Sequence, residues 1–191
     1  MTDTICPCLS YRDAAIVLKQ GGVIAYPTES VWGLGCDPSQ PKAVFALCRI
    51  KQRSTAKGLI LLVNALNELS DWLDTSAVTA ACWKKIDATW PGPYTWTFPA
   101  RADAPAWITG QHRTIAVRIS SHPTVKALCD AWRGPLVSTS ANRSGQPAAH
   151  QRQAIDPLVL SSIDGIVAGE TGQLAKPTSI QNALTGQIVR V

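Results

Sequence analysis

The stretch that decides the fold is KGLILLV, residues 57–63. From Leu59 to Val63 every residue is apolar, so the run lacks both the alternation of a half-buried strand and the stripe of an amphipathic helix. Such a run is too short for a buried helix and suits a strand covered on both faces, which places it in the middle of a sheet. A sheet buried on both sides needs helices around it, and the flanks supply them.

Upstream, Ser10 is positioned to cap a helix with Asp13 in its first turn, and Ala14, Ala15, Val17 and Leu18 give it an apolar face. Gly21 and Gly22 stop it. VIAYPT then reads as a strand ended by Pro27, and Pro41 suits the first turn of a second helix with Val44, Phe45, Leu47 and Cys48 as its buried stripe. Downstream, the pattern predicts helical segments over 65–73 and 76–88, strands in PGPYTWTF and TIAVRIS, a helix after His122 and a short buried strand in PLVSTS. Late strands are expected around 165–169, 178–182 and 187–190. Helices interleaved with strands define an α/β layer structure, and the hairpin spacing of the last strands makes its sheet mixed. One domain over residues 1–191 is expected, with the first nine residues as a loosely ordered tail.

Composition narrows the function less than the fold. The chain is 46% hydrophobic and 16% charged, which excludes global disorder. Eighteen Lys and Arg against 13 Asp and Glu give +5, which favours an anionic ligand or partner and leaves nucleotide and nucleic acid both open. The six cysteines form no C-x-x-C, and the histidines lie far from zinc-ligand spacing, so reduced thiols in a cytoplasmic protein are expected. The N-terminus has no secretory pattern and no apolar run is long enough for a bilayer, so no membrane association is expected.

Familiar catalytic signatures are missing. There is no G-x-x-x-x-G-K-[ST], and WGLGCD at 32–37 departs from G-x-G-x-x-G and reads as a loop bent by two glycines. No nucleophile elbow or Ser/His/Asp order appears, and Glu29 and Glu170 are isolated acids. What remains is KQRSTAK, residues 51–57. Lys51 and Arg53 end a helix, where cations also serve the macrodipole, but Lys57 stands at the mouth of the central strand. Ligands of open α/β sheets collect at strand ends, and three cations there could neutralise a triphosphate. Ser138, Ser140 and Asn142 follow an apolar strand at a spacing of two, which directs extended side chains to one face. Arg118, inside an apolar strand, needs a counter-charge from a protein acid or an anionic ligand.

In order along the chain, AYPTES–VWGLGCD, KQRSTAKGLILLV, WPGPYTWTFPA, TIAVRIS–HP and PLVSTSANRSGQP resemble the YrdC-like threonylcarbamoyl-AMP synthases in their short, single-domain form. The resemblance runs from about residue 10 to the end and rests on the ordered combination. It implies a twisted mixed sheet with flanking helices and a large concave basic cavity. The implied reaction joins L-threonine, bicarbonate or CO2 and ATP into threonylcarbamoyl-adenylate, releasing pyrophosphate, with Mg2+ accompanying ATP. A separate transferase complex would then modify tRNAs reading ANN codons, and direct contact with tRNA stays open.

Carried over by residue, the resemblance assigns Lys51 and Arg53 as catalytic and phosphate-binding, with Lys57 beside them. Thr114, Ser140, Asn142 and either Thr178 or Ser179 contact the nucleotide. Ser30, Leu62 through its backbone, Arg118 and Ser138 contact threonine. Ser30 stands where many relatives carry Thr, which keeps the hydroxyl and omits a methyl. The competing reading from charge alone is a non-catalytic protein that grips tRNA or double-stranded RNA.

Overall fold

The central strand is where the apolar run places it, and the order of its neighbours explains how a cavity forms. The computed structural model describes residues 6–174 and 178–190. Along the chain the strands are β1 (Cys8–Leu9), β2 (Ile24–Pro27), β3 (Trp32–Gly35), β4 (Ile60–Leu62), β5 (Tyr94–Pro99), β6 (Thr114–Arg118), β7 (Leu136–Ser140), β8 (Gly165–Val167), β9 (Ser179–Asn182) and β10 (Ile188–Arg190). The helices are α1 (Tyr11–Lys19), α2 (Pro41–Ile50), α3 (Ala80–Asp87), α4 (Ala106–Thr109), α5 (Pro123–Trp132) and α6 (Pro157–Leu160). The strands join in one sheet in the order β1-β8-β2-β3-β7-β4-β6-β5-β9-β10. β4 runs parallel to β6 and antiparallel to β7, so the sheet is mixed, and Leu61 and Leu62 are fully buried.

Local chemistry sets the ends of the helices. The Ser10 hydroxyl accepts the Asp13 N–H at 3.2 Å at the start of α1, and Gly21, at φ +84°, follows its C-terminus. Pro41 and Pro123 occupy the first turns of α2 and α5, where the missing N–H removes no helical bond.

The register divides the sheet into two unlike faces. On one, Leu61, Trp96, Val117 and Val137 pack with Val44 and Leu47 of α2, Ile86 of α3 and Ile108 of α4. On the other, Ile24, Tyr26, Leu62 and Leu136 pack with Ala14 and Leu18 of α1 and Val125 and Leu128 of α5. Those two helices cover only part of this second face. The uncovered remainder is a cavity floor.

Four local expectations are corrected. Phe45 is 44% exposed, and Ala43 takes its place in the buried stripe of α2. Segment 65–73 holds only a 3-10 turn at Leu66–Leu69, while α3 starts later than expected, at Ala80. WGLG is strand β3, paired with β2 and β7. Its glycines serve close packing: a Cβ at Gly35 would lie 2.5 Å from the Val137 carbonyl oxygen and 2.8 Å from the Tyr26 ring. Finally, Cys8 and Leu9, expected in a loose tail, pair in parallel with β8; residues 1–5 of that tail lie outside the described residues.

Candidate active site

β6 carries the floor of the site. Its alternation sends Ile115 and Val117 into the core and Thr114, Ala116 and Arg118 to the opposite face. Register extends this face sideways, aligning Ser138, Ile60, Ala116, Thr97 and Asn182 in one row across β7, β4, β6, β5 and β9. Above it lies a cavity of about 580 Å³, within the range that encloses small-molecule ligands. Thr28, Ser30 and Val31 from the β2–β3 turn form one wall, and Arg53 and Lys57 another.

The lining is cationic. Arg53, Lys57 and Arg118 contribute to it, and no Asp or Glu does among the described residues. Arg53 is tethered by an Nη2 hydrogen bond to the Gly58 carbonyl at 2.8 Å. Gly58 has φ +60°, and a Cβ there would meet the Thr109 carbonyl at 2.9 Å, so the turn from Lys57 into β4 requires glycine.

Arg118 is only 6% exposed and is held from two sides. Its Nη1 donates to the Thr178 hydroxyl at 3.0 Å, and its Nη2 lies 3.9 Å from Glu29 Oε2, a charge pair too long for a hydrogen bond. Glu29 Oε1 accepts the Ser120 hydroxyl at 2.6 Å, and Ser120 in turn accepts the His122 N–H at 3.1 Å. The counter-charge that Arg118 needs is thus a protein acid. Even so, among the described residues Glu29 Oε2, Ser30 Oγ and Arg118 Nε are buried without a hydrogen-bond partner. Each such group costs about 1–3 kcal/mol, so this wall keeps unused bonding capacity next to the cavity. Burial holds the His122 imidazole below its usual pKa, with one ring nitrogen 3.1 Å from the Glu170 carbonyl oxygen.

The cavity gathers Ser30, Arg53, Lys57 and Thr114 with Arg118, Ser138, Ser140 and Thr178. Four other candidate residues do not line it. Lys51, 3% exposed, donates from Nζ to the Ser140 carbonyl and to the Asn142 carbonyl at 2.7 Å, and its own carbonyl accepts the Ser144 N–H at 2.7 Å. It clips the end of β7 to the end of α2. Burial, then Arg53 nearby, pushes its ammonium down to about 8. Asn142 lies beyond the end of β7, where its Nδ2 donates to the Arg143 and Gln146 carbonyls, so it does not share the face of Ser138 and Ser140. Leu62 is buried in the cluster under α1 and α5. Ser179 is half-buried in β9, whereas its neighbour Thr178 reaches the cavity; 175–177, the first part of the late motif, lie outside the described residues.

Several lining residues escaped the sequence reading, among them Ile60, Thr97, His112 and Ala116. Ala116 was within reach, because Thr114 and Arg118 on one strand imply a third side chain between them. Glu29 needed the tertiary structure. Arg143 finds its role in an ion pair with Asp156 at 2.6 Å, which anchors the loop after β7. Among the described residues, no group of three or more His, Cys, Asp and Glu is arranged to hold a metal ion, and no helix is long and apolar enough to cross a membrane.

A mixed α/β sheet whose uncovered face floors a cavity lined by three cations among hydroxyls defines a class: a protein shaped to enclose a small anionic ligand. The Sua5/YciO/YrdC family model, described as telomere recombination, matches residues 16–191, and the chain belongs to this family. It is 54% identical over 190 residues to a threonylcarbamoyl-AMP synthase of Xanthomonas euvesicatoria pv. vesicatoria (strain 85-10), covering 100% of both chains. Its structure is similar to that of P. abyssi Sua5 complexed with L-threonine, with TM-score 0.82 and 26% identity over 90% of this chain and 50% of that one. It is also similar to E. coli YciO, with TM-score 0.80 and 28% identity over 97% and 91% of the respective chains.

Proposed function

We infer that the protein is an enzyme that makes threonylcarbamoyl-adenylate from L-threonine, bicarbonate and ATP with release of pyrophosphate. The observation that carries this reading is one cavity with two cationic ends. Arg118 among hydroxyls suits an amino-acid carboxylate, and Arg53 with Lys57 suits a triphosphate.

The threonine ammonium and bicarbonate combine into a carbamate, with loss of water and a proton. Cations nearby lower the pKa of that ammonium and stabilise the anionic carbamate. A carbamate oxygen then attacks the α-phosphorus of ATP, and the bond to the β-phosphate bridging oxygen breaks, its electron pair leaving with pyrophosphate. The nucleophile is already an anion, so no strong general base is required. The chain's contribution is alignment and charge: Arg118, Ser30 and Ser138 orient the amino acid, Thr114 and Ser140 the nucleotide, while Arg53 and Lys57 balance the charge on the leaving group. Thr178, hydrogen-bonded to Arg118, belongs with the amino-acid end. Lys51 acts through the segment that carries Ser140. Magnesium enters as part of the substrate, on the phosphates, because the cavity lining offers it no carboxylate among the described residues.

The product is a reactive mixed anhydride that needs an acceptor. The fate assigned by this reading is transfer to adenosine in tRNAs reading ANN codons, by a separate transferase complex. The RNA-gripping alternative is less favoured, because three cations converge inside a cavity. Pyrophosphate release from MgATP and bicarbonate, with and without L-threonine, tests the function. Threonine-dependent release is expected; none, or release indifferent to threonine, would refute it.

A further inference from the structure

The floor of the cavity has a low point, and it lies between the two ends. On β6, Thr114 and Arg118 flank Ala116, so at about 3.3 Å per residue Ala116 sits roughly 7 Å from each. Its register partners are Ile60 on β4 and Thr97 on β5, both β-branched and both lining the cavity. A methyl group between two branched side chains leaves a dimple in the row. The polar anchors stand on either side of it, Arg118 with Thr178 at one end and Thr114 at the other.

We propose that Ala116 is a positioning residue that keeps open the place where the amino-acid carbamate meets the α-phosphate. This rests on the reading of the function above and adds where on the sheet the two substrates join. Each substrate has its own anchors and can occupy its own end alone. Only the pair, with carbamate oxygen and phosphorus brought into contact, must share the space over Ala116. A branched side chain there would therefore spare each single occupancy and prevent the joint one.

The test uses Ala116→Val. Valine is a better strand former than alanine, and the added methyls point into the cavity and not into the core, so the fold is retained. Threonine alone and MgATP alone are titrated calorimetrically, and pyrophosphate release is then measured with both present. Ala116→Val is expected to bind each substrate nearly as the unaltered protein does. Its turnover should fall about 100-fold, the scale expected when reacting atoms are displaced by about 1 Å. Ala116→Gly, which keeps the space, should turn over far faster than Ala116→Val. Turnover by Ala116→Val at the original rate would overturn the proposal. So would loss of either single binding event to the same degree as turnover, because the effect would then not be specific to joining. An unaltered protein that bound both substrates and joined neither would instead refute the function itself.

Discussion

Replacing Lys51 by methionine separates a residue that touches the nucleotide from one that builds the wall beside it. Methionine keeps the length and apolar stem of the side chain and removes the donors to the Ser140 and Asn142 carbonyls. Two part-buried carbonyls that lose a donor cost at most about 1–3 kcal/mol each. Against this, the variant no longer buries an ammonium whose pKa has fallen from 10.5 to about 8, a relief of about 3 kcal/mol. Together the two carbonyls cost about 2–6 kcal/mol at most, so the two effects nearly offset and the net loss does not exceed about 3 kcal/mol, a fall in Tm of up to about 12 °C for a chain of this size.

ATP affinity should fall with it, because Ser140 stands on the strand end that the clip secures, while threonine binding alone should change little. Two measurements identify the cause. Amide hydrogen exchange should quicken over residues 140–146 in Lys51→Met. The salt dependence of ATP binding should keep its slope, because the cations lining the cavity are unaltered, whereas Arg53→Met should flatten it. A Lys51→Met protein with unchanged exchange over residues 140–146, weakened ATP binding and a flattened salt dependence would refute the clip and make Lys51 a direct phosphate ligand.

Three further outcomes are expected. The ammonium of Lys51 holds its proton less firmly in the fold than in the unfolded chain, so between about pH 8 and 10.5 the unfolded state binds more protons and stability rises with pH. Urea unfolding across that window should show a rise of up to about 3 kcal/mol in the unaltered protein relative to Lys51→Met; parallel curves would contradict it. Glu29→Gln leaves the buried Arg118 without its counter-charge, at a cost of about 3 kcal/mol, and threonine should raise the Tm of this variant by more than it raises that of the unaltered protein. Gly35→Ala forces a Cβ against the Val137 carbonyl and should destabilise by about 1–3 kcal/mol in chemical unfolding; a neutral effect would mean that β3 and β7 separate easily.

Much of this was legible in the sequence where local chemistry is decisive. The unbroken apolar run marked β4, the Ser10 and Pro41 starts marked α1 and α2, and the spacing of Ser138 and Ser140 put both on one face. β3 was hidden because WGLG has few of the branched residues that favour strands; its neighbours β2 and β7 impose the extended form, and glycine is needed there to admit Tyr26. Asn142 fell off the predicted face because β7 ends at Ser140 and the chain turns, the Asn142 N–H bonding back to the Ser140 carbonyl at 2.9 Å. Lys51 and Arg53 look alike in composition. Gln52 between them takes φ +50°, and across that turn one cation is buried against carbonyls while the other reaches the cavity. No pattern of residue types announces such a turn. The partnership of Glu29 with Arg118 was equally hidden, since it joins residues far apart in the chain and depends on how the β2–β3 turn lies against the end of β6.

The Thr178 hydroxyl on Arg118 has a bearing on the birth of the molecule. Ribosomes deliver a chain from its N-terminus, and β9, which pairs in parallel with β5, emerges well after it. Until then Arg118 has Glu29 but lacks Thr178, and the wall formed by Ile180 and Asn182 does not exist. A nascent chain can therefore possess its cations well before it possesses an enclosed chamber. Competence to enclose a ligand arrives only with the docking of β9 against a strand made long before it.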